Sequence, residues 1–289
     1  MIELKNEKIA IPVVLFAGLL WSFGPLVVRH MDEPALVPWQ YIFARGLTIF
    51  IVLNLYLYFE EGKNFYKNYL KAGVSGLVGG CGLGIAMITF IYSITNTSAA
   101  VTLLCLAAMP FFTALLGFLF LKEKISFNVW IAIIIATIGI IIIALGNTEK
   151  SSLIGLIFGM TSSIGFSVFS VTLRWRKETP KFTTVAIAGF FCVLIASIFI
   201  ISSNSSFLST SYNGALFSLH GTIVCMGLIL YSIGSKAIPA AELTLLSLTE
   251  VIGGIFWVWL PLFGINEIPS SNTIIGGFFL FMSIIYYSL

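Results

Sequence analysis

Few residues of this chain are equipped for chemistry, and Glu250 is foremost among them. It falls about eleven residues into an apolar segment running from Pro239 to Phe263, which at roughly 1.5 Å per residue is close to the middle of a bilayer. A carboxylate at that depth costs several kcal/mol unless it is paired, protonated or hydrated, so a role with a solute or a proton is the default expectation. Thr244 and Ser247 precede it at helical spacing, and Gly254 and Trp257 follow. That face is small and polar, whereas Leu246, Leu248, Ile252, Ile255 and Phe256 populate the others. Glu250 is therefore expected to face the interior of a bundle. The competing readings are a structural hydrogen bond to a neighbouring helix and a permanent pair with Arg45 or His220.

Arg45 lies roughly nine residues inside its own apolar segment, too deep to snorkel to water. It can pair with a carboxylate or a solute anion, or cap backbone carbonyls. The imidazole of His220 can hydrogen-bond or relay a proton. Trp21, Tyr92, Tyr231 and Trp257 are candidate solute-contact aromatics, and Trp21 or Trp257 could attract an amine through its π face. With Ser247 these make a candidate binding set of Glu250, Trp21, Tyr92, Tyr231, Ser247, Trp257, Arg45 and His220. Glu242 sits near the start of the same segment as Glu250 and reads as solvated.

Other chemistries find little support. An enzyme needs a convergent nucleophile and base, but only His30 and His220 are available and neither has a nucleophile motif beside it. No catalytic residue is assigned. Cys81, Cys105, Cys192 and Cys225 lie in apolar segments without C-x-x-C spacing, and two histidines do not complete a ligand set, so neither metal nor cofactor is expected. The run Gly73, Gly76, Gly79, Gly80, Gly82, Gly84 lacks the lysine and the preceding strand of a phosphate loop. Its members at 76, 80 and 84 fall four apart, which is a stripe for close helix packing.

The elements that must position these residues follow from composition. Of 289 residues, 58% are hydrophobic and 9% charged, with a mean hydropathy of +1.04. Such a chain cannot clothe a water-facing surface, and its scattered basic residues make no footprint for nucleic acid. Reading apolar runs against charged breaks gives ten spans: Ile9–Val28, Leu36–Phe59, Tyr69–Ser93, Ala99–Leu121, Phe127–Leu145, Leu153–Trp175, Thr183–Ser202, Tyr212–Gly234, Pro239–Phe263 and Asn272–Leu289. Long continuous runs indicate helices rather than barrel strands. With the N-terminus in the cytoplasm, inner segments hold Lys5, Lys8, Lys63, Lys67, Lys71, Lys122, Lys124, Arg174, Arg176, Lys177, Lys181 and Lys236, against only Arg29 and Lys150 outside. That bias places both termini in the cytoplasm, in a multi-pass protein of a bacterial plasma membrane. Cysteine labelling from outside is accordingly expected to fail at position 177 and succeed at position 205. The reverse pattern, or labelling at both, would overturn this topology.

The two halves repeat. Gly18-Leu19-Leu20-Trp21-Ser22-Phe23-Gly24 is answered 141 residues later by Gly159-Met160-Thr161-Ser162-Ser163-Ile164-Gly165, and Ala99-Ala100 by Ala240-Ala241 at the same offset. Tyr92-Ser93-Ile94 returns as Tyr231-Ser232-Ile233, and Glu123-Lys124-Ile125-Ser126 as Glu267-Ile268-Pro269-Ser270. Five spans per half make the repeats, residues 1–146 and 147–289, inverted. Inverted pairs build secondary transporters whose site lies at the repeat interface, here expected among the first, third, fourth, sixth, eighth and ninth helices.

The W-x-x-G-P segment from Trp21 to Pro25, the in-membrane Arg45 and the alanine-rich fourth helix with Pro110 followed by Lys-Glu-Lys-Ile-Ser resemble the drug/metabolite transporter superfamily. More narrowly, the chain is similar to its EamA-type ten-helix members. The second half departs from the pattern: Val251 stands where Pro110 has its repeat mate, and no tryptophan matches Trp21. The resemblance implies an all-α integral membrane fold and transport of a metabolite or amino acid through a central cavity. The expectation is a secondary transporter, not an enzyme, moving a small polar solute such as an amino acid or amine by alternating access. Transport is expected to be coupled to a proton or to run by exchange, and the protein to work as a monomer or weak dimer. The alternative is a membrane-embedded flippase or an enzyme acting on a lipid-linked substrate.

Overall fold

The computed structural model describes residues 6–97, 99–146, 153–176, 178–265, 268 and 270–288; Lys5, Lys150, Lys177 and Glu267, used in the charge and repeat arguments, lie outside them. The described residues form helices and connections without a strand. Eight helical spans are long and apolar enough to cross a membrane, and Phe127–Ile142 and Ile274–Tyr287 are shorter apolar helices. Together they make the ten helices. Large apolar side chains such as Phe59, Leu70, Phe118, Phe120 and Phe127 face outward, which suits hydrocarbon rather than water.

Four helices read as continuous are interrupted: the third kinks at Gly73, and three others divide outright. The first divides into Glu7–Trp21 and Gly24–His30, the fourth into Ala99–Leu106 and Met109–Leu116, and the ninth into Ala240–Leu246 and Thr249–Trp259. Pro25 and Pro110 explain two of the breaks, since each stands in the first turn of its second half-helix, where its missing N–H costs nothing. The ninth helix breaks at the corresponding place without a proline. Hydroxyls take up the carbonyls there: Ser247 donates to Thr244 O at 2.8 Å and Thr249 to Leu246 O at 3.1 Å. The backbone tightens as well, with Glu250 N bonded to Ser247 O at 2.9 Å. The sixth helix, in contrast, runs unbroken over Leu153–Trp175. Gly165 is followed by Phe166 where Gly24 is followed by Pro25, so the shared glycine motif bends only one of the two helices.

Packing follows the exchange of halves. The third helix lies on the sixth and seventh, the eighth on the first and second, and the second on the seventh; the fifth pairs with the tenth, and the fourth meets the ninth. Swapping first for sixth, second for seventh and so on maps every one of these pairs onto another or onto itself. Glycines set the closest crossings. A Cβ on Gly165 would stand 2.6 Å from Gly82 O, and one on Gly189 would stand 2.8 Å from Gly46 O. Gly18 presses on Thr249 at the break of the ninth helix, and its mate Gly159 presses on Cys105 beside the break of the fourth. Without a hydrophobic force between helices in lipid, such van der Waals closeness supplies much of the association.

Candidate functional site

The breaks bring the chain's rare charges to one place. A cavity of about 520 Å³, counting its mouth, is lined by Trp21 of the first helix, Arg45 of the second and Leu83, Ala86, Met87 and Phe90 of the third. Leu106 and Met109 flank the break of the fourth helix, Ser162 and Phe166 come from the sixth, His220, Val224 and Leu228 from the eighth, and Glu250 from the ninth. All six helices expected to line the site do so, and the second joins them through Arg45.

Glu250 stands in the first turn of the second half of its helix and is 8% exposed. The positive end of that half-helix favours an anion there. Among the described residues no side chain hydrogen-bonds or ion-pairs with its carboxylate, so the proposed lock to Arg45 or His220 is not made in this structure. Arg45 is 3% exposed; its Nη2 donates to Met87 O at 2.8 Å, its guanidinium carbon lies 5.6 Å from the centre of the Tyr41 ring, and its Nε has no partner. The carbonyl-capping reading of Arg45 therefore describes one nitrogen, and Nε is left buried without a partner. His220 receives or gives a hydrogen bond at Nδ1 with Tyr41 Oη.

Trp21 donates from Nε1 to Val224 O at 3.3 Å and packs edge-on against Phe166 with ring centres 5.4 Å apart. Gly227 makes the room, since any side chain there would run into the indole.

The other predicted residues fall outside the lining. Tyr231 is fully buried behind Trp21, its ring centre 5.4 Å away and its hydroxyl 2.7 Å from Ser170 Oγ. Ser247 belongs to the helix break. Trp257 donates to Ser22 Oγ at 2.7 Å and stacks on Phe23 at 4.8 Å, which ties the ninth helix to the break of the first. Tyr92 packs between Trp39 and Phe158. Sequence reasoning missed Met87, Phe90 and Phe166, which nothing in the sequence sets apart from the other large apolar residues of their helices. It also missed Tyr41, although its position one helical turn before Arg45 was a usable signal.

Gly24 and Gly165 separate in consequence. A Cβ on Gly24 would lie 3.3 Å from His220 Nε2 and 3.6 Å from the tip of the Phe90 ring, against side chains at the cavity wall, whereas one on Gly165 meets the backbone of the third helix. Gly24→Leu is expected to keep the wild-type thermal unfolding midpoint in detergent and lose transport. Gly165→Leu is expected to lower that midpoint, by an overpacking cost of about 1–3 kcal/mol. Equal midpoints with equal transport would show that neither contact matters.

Chemically, the cavity presents one guanidinium and one carboxyl group that are not paired with each other, set in apolar and aromatic walls. An occupant carrying both charges would satisfy both.

Comparison with known proteins agrees in kind. Residues 8–145 match the EamA-like transporter family. An uncharacterized transporter of Helicobacter pylori is 27% identical over 205 residues, covering 69% of this chain and 66% of its own length. The pseudopaline exporter of Pseudomonas aeruginosa is 24% identical over 209 residues, covering 71% of this chain and 69% of its own. The chain thus spans just under two thirds of the length of the first of these curated relatives. A solved crystal structure superposes with a TM-score of 0.73 at 17% identity, covering 96% of both chains, and is similar in fold.

Proposed function

We propose, from the premise that this chain is an EamA-type member of the drug/metabolite transporter superfamily, that it is a secondary transporter of a small zwitterionic metabolite, an α-amino acid or a close relative. Arg45 takes the carboxylate, Glu250 takes the ammonium, and Trp21, Phe90 and Phe166 cover the apolar part. The observation that carries this reading is that Arg45 and Glu250 line the same cavity with no ion pair between them. A simple amine would leave the guanidinium unanswered, and a simple acid would leave Glu250 unanswered; each unpaired buried charge weakens binding.

The two inverted halves, residues 1–146 and 147–289, supply the motion. Each packing of the pseudo-symmetric pair opens the cavity to one side, and exchange between them is alternating access. Both termini lie in the cytoplasm, and the protein acts as a monomer or weak dimer. If Glu250 is protonated when the cavity is empty, the ammonium group displaces its proton, which couples solute to proton movement or allows exchange.

Purified protein in proteoliposomes tests this reading against amino acids, their decarboxylated amines, their N-acylated acids, polyamines and nucleosides. Saturable uptake and counter-exchange are expected for amino acids, with amines and acids at least tenfold weaker. An amine transported as well as its parent amino acid would overturn the zwitterion reading while leaving the transporter reading standing.

A further inference from the structure

We propose that Tyr41, which lies behind the cavity wall rather than in it, is a positioning residue that fixes His220 as a second hydrogen-bond donor, beside Arg45, for the carboxylate end of the solute. This rests on the zwitterion reading for the identity of the acceptor, but the hydrogen-bond argument stands on the geometry alone.

Tyr41 is fully buried on the second helix, one turn before Arg45. Its ring lies beneath the Arg45 guanidinium and stacks on Phe217 with centres 4.9 Å apart. Its hydroxyl meets Nδ1 of His220 on the eighth helix. One side chain therefore touches both cavity groups that can serve an anion.

A phenol has one proton and an imidazole two nitrogens, so the bond between them has two possible directions. If Nδ1 donated, the Tyr41 proton would have no acceptor, because the other group that meets Oη, the Arg45 guanidinium, can only donate. That proton would be sealed in the protein, a costly position for a donor. If Tyr41 donates, its proton is used and the imidazole carries its own on Nε2. His220 belongs to the cavity lining and Tyr41 does not. The donor left over then sits where a solute can reach it.

Nε2 lies beside Gly24 and Phe90: a Cβ on Gly24 would be 3.3 Å from Nε2 and 3.6 Å from the tip of the Phe90 ring. The glycine that opens the second half of the first helix keeps this nitrogen uncovered. Gly221 performs the complementary task behind it, letting the eighth helix approach until a Cβ would stand 3.2 Å from Arg45 O. The second and eighth helices thus hold Arg45 and His220 in fixed register around the Tyr41 hydroxyl.

The test is Tyr41→Phe, which keeps the ring beneath Arg45 and removes the hydroxyl that meets His220. Nitrogen-15 spectra of histidine-labelled protein, assigned with a His30→Gln control, report the tautomer of His220. The wild type is expected to carry its proton on Nε2, and Tyr41→Phe to show a mixture of tautomers. Binding of amino acids is expected to weaken about tenfold in Tyr41→Phe, with binding of the decarboxylated amines unchanged. An Nδ1–H tautomer in the wild type would overturn the proposal, as would equal weakening for amino acid and amine. If no amino acid binds the wild type, the zwitterion reading fails, and the spectra alone decide whether Tyr41 sets the tautomer.

Discussion

Glu250→Gln is expected to lower amino-acid transport, as kcat/KM, by about a hundredfold and to abolish its pH dependence, while the protein folds as before. The magnitude follows from the bond that is lost. A hydrogen bond to a charged partner is worth about 1.5–3 kcal/mol, and the amide of glutamine can still accept a hydrogen bond from the ammonium but cannot neutralise it. Folding is expected to survive because no protein group depends on the carboxylate. The only structural term at stake is the favourable end of the half-helix that starts at Thr249, worth about 0.3–1 kcal/mol. The ligand term is therefore larger than the fold term. Transport assays across a pH series, with a thermal melt of the same preparations, separate the two. Unchanged transport with unchanged pH dependence would remove Glu250 from the site. A variant that fails to fold would mark it instead as a lock for the bundle.

What could be read in advance, and what could not, follows the same physics. Glu250, Arg45 and His220 were legible because a polar group deep in an apolar run is expensive, and the structure brings all three to one cavity with Trp21. The aromatic residues were not separable. Tyr92 and Trp257 look like Trp21 in a sequence, and only the turn of each helix shows that they brace Trp39 and Ser22 instead. The helix breaks were half legible. Pro25 and Pro110 announce theirs, but the ninth helix breaks through the hydroxyls of Ser247 and Thr249, and serine and threonine are common in unbroken helices too. Helical spacing in the sequence puts Glu250 on one continuous face with Thr244 and Ser247. The break changes that relation: Ser247 and Thr244 spend their hydroxyls on their own helix, and Glu250 begins a new one.

Arg174→Ala is expected to shift the protein toward the conformation open at the end where that residue lies. Arg174 closes the sixth helix and gathers two other segments of the chain. Its Nε donates to Glu123 Oε1 at 2.6 Å, and its Nη1 donates to Ser235 O at 2.9 Å and Ile238 O at 2.8 Å. Glu123, from the link between the fourth and fifth helices, also accepts from Ala240 N at 3.3 Å. Lys181 adds a bond to Ser235 Oγ at 2.5 Å. The halves are thereby joined at one end through charge-assisted bonds. At the other end the corresponding links use His30 Nε2 with Phe263 O at 2.8 Å, and Asn213 with the backbone of Asp32. Arg174 and Glu123 are about a quarter exposed, so solvent screening reduces their pairing, but the two carbonyls lose their donor outright. If the two packings proposed for alternating access differ by a few kcal/mol, that loss is expected to change the population ratio about tenfold or more. In a cysteine-free background, a cysteine at position 238, fully buried in this structure, should react with a membrane-impermeant reagent about tenfold faster in Arg174→Ala, and likewise in Glu123→Gln. Labelling at 238 that is the same in all three backgrounds would show that this cluster fastens loops without holding the gate.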